Sequence, residues 1–190
     1  MGGKVGLEMS EPWSQATVTG NVIAGSRDLV SLGGEGLANR YRWSGNTWAR
    51  AGGAKSWRYE TSAYGWDEWR ERTGLGGSDS VLPSPPTTTR VFVRPNKYEP
   101  GRALVVVYNW GREAAVAVDL AGVLRTGDRY EVRNVQDLFG APVVSGEYQG
   151  APIRIPMTGV TPPAPQGRVL RTPPRTGPAF DAFVVTRPAR

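Results

Sequence analysis

Asp67 and Glu68 are adjacent carboxylates, and two carboxyl groups are the minimum equipment for cleaving a glycosidic bond. That reaction needs them facing each other across the bond, roughly 5–10 Å apart. Neighbours on a helix diverge by about 100°, and Trp66-Asp-Glu-Trp69-Arg-Glu-Arg72-Thr reads as a helix ending at Gly74. The pair is therefore read as first-turn charge, with Arg70 and Arg72 placed for the opposite end of the dipole. The chain has no histidine and no cysteine. The common zinc sites, imidazole acid–base chemistry and Ser-His or Cys-His nucleophiles are excluded with them. No catalytic residue, metal ligand or cofactor is assigned. Asp79, in a Gly-Gly-Ser-Asp-Ser turn, is one carboxylate where calcium wants six or more oxygens, so it is read as a turn former.

Tryptophan offers different chemistry. Six of the seven lie before residue 81. Indole faces stack on sugar rings, and exposed aromatics mark binding patches. Trp43, Trp48 and Trp57, set among Ser, Gly and Arg, are expected to be the exposed set and are the candidate glycan-binding residues. Trp66 and Trp69 share a helix face and are expected to plug the end of a stack of strands. Plugging is the preferred role for the cluster as a whole, and sugar contact the alternative.

The net charge of +6 is local. Residues 1–150 carry 17 basic and 16 acidic side chains, and the surplus lies in 151–190. Arg168, Arg171 and Arg175 fall in a proline-rich stretch there and form a candidate anionic-ligand loop, against the reading of a solvated, compositionally biased segment. No recognition helix or interleaved aromatic pattern supports nucleic acid as a partner. Asn134, Gln136 and Asp137 follow a strand and are read as corner residues satisfying backbone groups.

These residues need elements to hold them. The composition, with 25 Gly and 16 Pro, favours an all-β, turn-rich class. Residues 1–80 show short apolar dashes broken by Gly and Asn, as in Ala16-Thr-Val-Thr-Gly-Asn-Val-Ile-Ala24. Residues 81–89, Val-Leu-Pro-Ser-Pro-Pro-Thr-Thr-Thr, read as an extended connector. Residues 90–190 alternate cleanly in Arg90–Arg94, Ala114–Leu120 and Arg129–Asn134, as a β-sandwich does. Ala103–Tyr108 is near-continuously apolar, as for a strand covered on both faces or crossing a core, and Asn109–Glu113 reads as a hairpin link to the next strand. No apolar run approaches the roughly 20 residues that span a bilayer, and no signal-peptide pattern follows Met1.

The second half resembles a known pattern. Tyr98-Glu-Pro-Gly101 before Ala103–Tyr108, Tyr130-Glu-Val-Arg-Asn-Val-Gln-Asp137-Leu-Phe-Gly140, Ile153-Arg-Ile-Pro156-Met157 and Phe180-Asp-Ala-Phe-Val-Val185 are similar to the β-sandwich appended to bacterial right-handed parallel β-helix proteins, including carbohydrate-active enzymes. Val18-Thr-Gly-Asn21-Val-Ile and Tyr41-Arg-Trp-Ser-Gly-Asn46-Thr-Trp48 resemble the last coils of such a helix, about two of them, and the Trp66–Gly74 helix resembles its exit. The resemblance implies a short β-helix remnant with a helical cap over 1–80, then a sandwich over 90–190. It also implies an extracellular or cell-surface parent protein whose groove and catalytic groups lie upstream. The expected function is a non-catalytic accessory region, with upstream coils of a parent chain and polysaccharide as partners. The alternatives are a glycan-binding module, and a fragment of a polysaccharide lyase or glycoside hydrolase.

Overall fold

The computed structural model describes residues 4–50, 53–167, 171 and 173–188. They form two compact units that divide between Pro86 and Thr87. The described residues are mostly β, with sixteen strands and one α-helix. The division falls inside the connector expected at 81–89, but Val81 and Leu82 belong to a strand rather than to a linker.

In the first unit the chain visits three sheets in turn and then repeats the circuit. The first circuit lays down β1 (Val5–Met9), β2 (Ala16–Thr19) and β3 (Val22–Gly25). The second lays β4 (Asp28–Leu32), β5 (Tyr41–Ser44) and β6 (Thr47–Arg50) beside them in parallel register. Val5 pairs with Asp28, Ala16 with Tyr41 and Val22 with Thr47. The third circuit adds β7 (Trp57–Tyr59) to the first sheet and β9 (Ser80–Leu82) to the third, again in parallel. Two circuits are complete, and the third adds no strand to the second sheet. The third is harder to read because β8 (Ser62–Tyr64) and α1 (Trp66–Thr73) are inserted into it. β8 folds back antiparallel on β7 and closes that sheet.

The strands are short because turns interrupt them. Gly20 and Gly45 hold φ of 66° and 65° at the corner before β3 and β6, a left-handed conformation that costs a side-chain-bearing residue about 1–2 kcal/mol. Leu29, Val30, Leu32, Leu37, Trp43, Trp48, Trp57 and Trp69 pack as one buried cluster inside the circuits. The helix α1 ends at Gly74, whose φ is 69° and whose N–H bonds back to the Arg70 carbonyl at 2.8 Å.

The second unit holds two antiparallel sheets. The larger has the order β10-β11-β16-β13-β14, from Arg90–Pro95, Ala103–Tyr108, Phe180–Thr186, Arg129–Asn134 and Val144–Glu147 respectively. The smaller pairs β12 (Ala115–Val118) with β15 (Ile153–Pro156). Both contribute to one core: Val105, Val107, Val132, Phe183 and Val185 from the larger sheet, Val116, Val118 and Ile155 from the smaller.

Two local expectations are corrected. Asn109–Glu113 does not close a hairpin, because β11 pairs with β10 and β16 while β12 pairs only with β15. The segment instead carries the chain from one sheet to the other. Buried Asn109 pins the crossing: its Nδ2 donates to the carbonyls of Glu113 and Pro178, each at 2.8 Å, and its Oδ1 accepts from Glu113 N–H and Thr89 Oγ1, each at 3.1 Å. Strand β11 is also not covered on both faces. Ala103, Val105 and Val107 face the core, while Leu104 and Tyr108 are exposed.

Candidate functional site

Five of the six tryptophans of the first unit form a continuous aromatic cluster. Trp43 stacks on Trp48 with centroids 5.6 Å apart, Trp48 meets Trp57 edge-on at 5.2 Å, and Trp57 lies 5.1 Å from Trp69 and 4.3 Å from Trp66. The register explains the convergence. Trp43 sits beside Val18, Trp48 between Ile23 and Val81, and Trp57 beside Val30, so each of the three sheets places an indole at an inward position next to an aliphatic one. The helix α1 then delivers Trp66 and Trp69 onto the same cluster. The expectation that Trp43, Trp48 and Trp57 are exposed is corrected: all three are buried. Each packs against other indoles and is at most 8% exposed, so none presents a ring to a sugar in this conformation. Their polar surroundings in sequence misled because those neighbours point outward on the same short strands. Trp13, by contrast, is 60% exposed.

Buried indoles need acceptors for their N–H groups. One carboxylate oxygen serves two of them: Asp79 Oδ2 accepts from Trp43 Nε1 and from Trp48 Nε1, both at 2.8 Å. Asp79 is also the last rung of a ladder. Asn21, Asn46 and Asp79 occupy the same corner in the three circuits, immediately before β3, β6 and β9. Asn21 Nδ2 donates to Asn46 Oδ1 at 3.0 Å, and Asn46 Nδ2 donates to Asp79 Oδ2 at 3.2 Å. The amide orientation of buried Asn46 is fixed independently, since its Oδ1 accepts from Asn21 N–H and its Nδ2 donates to the Val18 carbonyl. Donation runs one way, from the first circuit to the third, and ends on a group that only accepts. Asp79 therefore does more than form a turn. The signal was present in sequence: Gly20-Asn21, Gly45-Asn46 and Ser78-Asp79 each precede a β-branched or hydroxyl residue that opens a strand.

The other predicted residues are dispersed. Asp67 pairs with Arg70 at 3.8 Å and Glu68 with Arg72 at 3.0 Å, as expected for helical ion pairs. Arg171 and Arg175 are exposed, and Arg168 lies outside the described residues. The chain beside Arg175 is tied down by Gln136, which donates to the Pro174 carbonyl at 3.0 Å and accepts from Thr176 N–H at 3.1 Å. Asn134 Oδ1 accepts from Gln136 N–H at 2.8 Å, the corner role expected of it.

The second unit adds two features. A cleft of about 550 Å³ is lined by Arg102, Arg125, Asp128 and Arg187 among others. The Arg125 backbone N–H at 2.9 Å, and then the Arg187 guanidinium at 3.2 Å, hold the Asp128 carboxyl below its ordinary value. Asp181 behaves oppositely. Burial pushes its carboxyl above the ordinary value, against the nearby Asn134 amide, the Ala182 N–H at 3.1 Å and the Thr176 hydroxyl at 3.2 Å. The outward face of β10, β11 and β16 is the other feature: Phe92 and Tyr108 meet edge-on at 6.1 Å, and Tyr108 and Phe180 at 5.2 Å.

Among the described residues, no three metal-ligating side chains converge and no helix is long and apolar enough to cross a membrane. Compared with protein-family models, with curated proteins and with solved structures, the chain matches none.

Proposed function

We propose that the chain is a non-catalytic accessory region of an extracellular carbohydrate-active or cell-surface protein. In this reading the first unit is the closing end of a right-handed parallel β-helix, and the second is an appended β-sandwich. The observation that carries it is the asymmetry of the first unit. On one side the indole cluster, α1 and Asp79 terminate the stack. On the other, β1, β2 and β3 are edge strands with a partner on one side only among the described residues, as β8, β5 and β9 are at the helix end, but the one α-helix is not there. Asn21 Oδ1 likewise faces no donor among the described residues, while its Nδ2 is engaged. Open parallel edges are a liability unless something pairs with them, and a repeat stack needs a neighbour on each unfinished face. The fitting neighbour is another circuit of the same kind, with an asparagine in register above Asn21. Catalytic groups of a parent polysaccharide lyase or glycosidase would then sit on those earlier circuits.

The test is the coding sequence immediately upstream. An in-frame extension with a Gly-Asn corner about one circuit before Asn21 is expected. A nearby in-frame stop would overturn the stacking reading. Release of reducing or unsaturated products from acidic or neutral polysaccharides by this chain alone would overturn the non-catalytic one.

A further inference from the structure

We infer that the outer face of β10, β11 and β16 binds an acidic polysaccharide, a linear polyuronate. The face lies wholly within the second unit, so it stands or falls separately from the stacked-circuit reading. The register lays it out as a grid. Arg90, Tyr108 and Phe180 form one row; Phe92, Val106 and Ala182 the next; Arg94, Leu104 and Val184 the third. The alternate residues Val91, Val93, Val105, Val107, Phe183 and Val185 belong to the core side. All nine grid positions therefore point away from it. Phe92 is 42% exposed, Leu104 41% and Tyr108 39%. Phe92 and Tyr108 are in contact and Leu104 lies diagonally across from Phe92 on the same face, an exposed apolar grouping of the kind that marks a binding surface.

Charge selects the occupant. The grid contains two arginines and no acid. Arg90 and Arg94 have no ion-pair or hydrogen-bond partner among the described residues, whereas Arg133 on the neighbouring β13 is held by Glu131 at 2.7 Å. Four steps of extended strand separate Arg90 from Arg94, so their backbone positions lie roughly 13 Å apart. That spacing suits a ligand with repeated anionic groups better than a single phosphate or carboxylate. Phe92 lies between them, Tyr108 and Phe180 share the row of Arg90, and the three rings stand edge-to-face beside an otherwise aliphatic surface. Both sugar rings and nucleic-acid bases can pack on such a surface, so the comparison with single-stranded DNA decides between them.

The experiment is affinity electrophoresis and calorimetric titration of the whole chain with polygalacturonate. Hydroxyethyl cellulose and single-stranded DNA serve as comparison ligands, with circular dichroism of every variant. Salt-sensitive binding to polygalacturonate is expected. It should weaken tenfold or more in Arg90→Gln/Arg94→Gln and in Tyr108→Ala. It should change less than twofold in Arg171→Gln/Arg175→Gln, which removes the same charge elsewhere. Absence of binding overturns the inference. So does equal loss in both double variants, which would mean only general charge attraction. Binding of the DNA or the neutral polymer as tightly as polygalacturonate overturns it as well. The replaced side chains are outside the core, so all variants should keep the parent spectrum. If one does not, the remaining variants still decide the outcome.

Discussion

Replacing Asp79 with asparagine leaves one oxygen where two are needed. If that oxygen faces Trp43 Nε1 and Trp48 Nε1, the new amide nitrogen confronts the Asn46 N–H, which Asp79 Oδ1 accepts at 2.9 Å. If the side chain turns over, both indoles lose their acceptor. One buried donor set is unpaired either way, so Asp79→Asn should destabilise the first unit by about 1–3 kcal/mol, read as a lower urea midpoint. The two shifted carboxyls of the second unit predict opposing pH effects. Asp181 has a folded value raised by burial, so the folded state holds the proton more tightly and stability falls as pH rises from the ordinary carboxylate value through the raised one. Asp128 has a lowered value, so its contribution is present above the ordinary value and is lost as pH falls through the lowered one. Asp181→Asn keeps an acceptor for Thr176 and Ala182 and removes the buried charge. The variant is expected to be more stable than the parent at pH 7, with the difference shrinking toward pH 4. Equal midpoints at pH 7 would count against burial as the dominant influence on this group.

Element α1 joins the aromatic cluster through Trp66 and Trp69 and stops at one glycine. Trp69→Ala removes a fully buried ring that touches Trp43, Trp57 and Trp66, and a loss of about 3–5 kcal/mol is expected. Gly74→Ala should cost about 1–2 kcal/mol for its left-handed backbone alone, and more because the added Cβ would lie 2.8 Å from Ala38 Cβ. Chemical denaturation of both variants checks the ordering. This helix was legible in sequence, boundaries included, because good formers, end charges and a terminal glycine agree. The strands Arg90–Pro95 and Arg129–Asn134 were legible for a similar reason, since period-two alternation reports one buried face. The hairpin misreading at Asn109–Glu113 has a physical cause. A short polar link between two apolar runs looks the same whether the chain turns back within a sheet or crosses to another. The buried side-chain network of Asn109 decides which, and its partners Thr89 and Pro178 are remote in sequence. The exposure of Trp43, Trp48 and Trp57 was illegible likewise. On strands of three or four residues, polar neighbours cannot say which face is inward; only the parallel register with Val18, Ile23 and Val30 does.

At the scale of the whole molecule the chain carries two separate cores, and the tryptophans are distributed unevenly between them. Six lie in the first unit and only Trp110 in the second. Indole fluorescence should therefore follow the unfolding of the first unit, while backbone circular dichroism follows both. The two urea curves are expected not to superimpose, and Trp69→Ala should shift the fluorescence curve far more than the later part of the dichroism curve. Coincident curves, shifted together by the variant, would show instead that the units unfold as one. The one-directional donation from Asn21 through Asn46 to Asp79 has a consequence for how such a chain can change length in evolution. Tandem duplication of the 25 residues from one asparagine corner to the next inserts a circuit whose new rung both accepts and donates, so the ladder stays continuous. Duplicating the circuit that ends at Asp79 sets an acceptor-only group in the interior, facing a second one below it. Repeats can accumulate ahead of the aspartate and not beyond it.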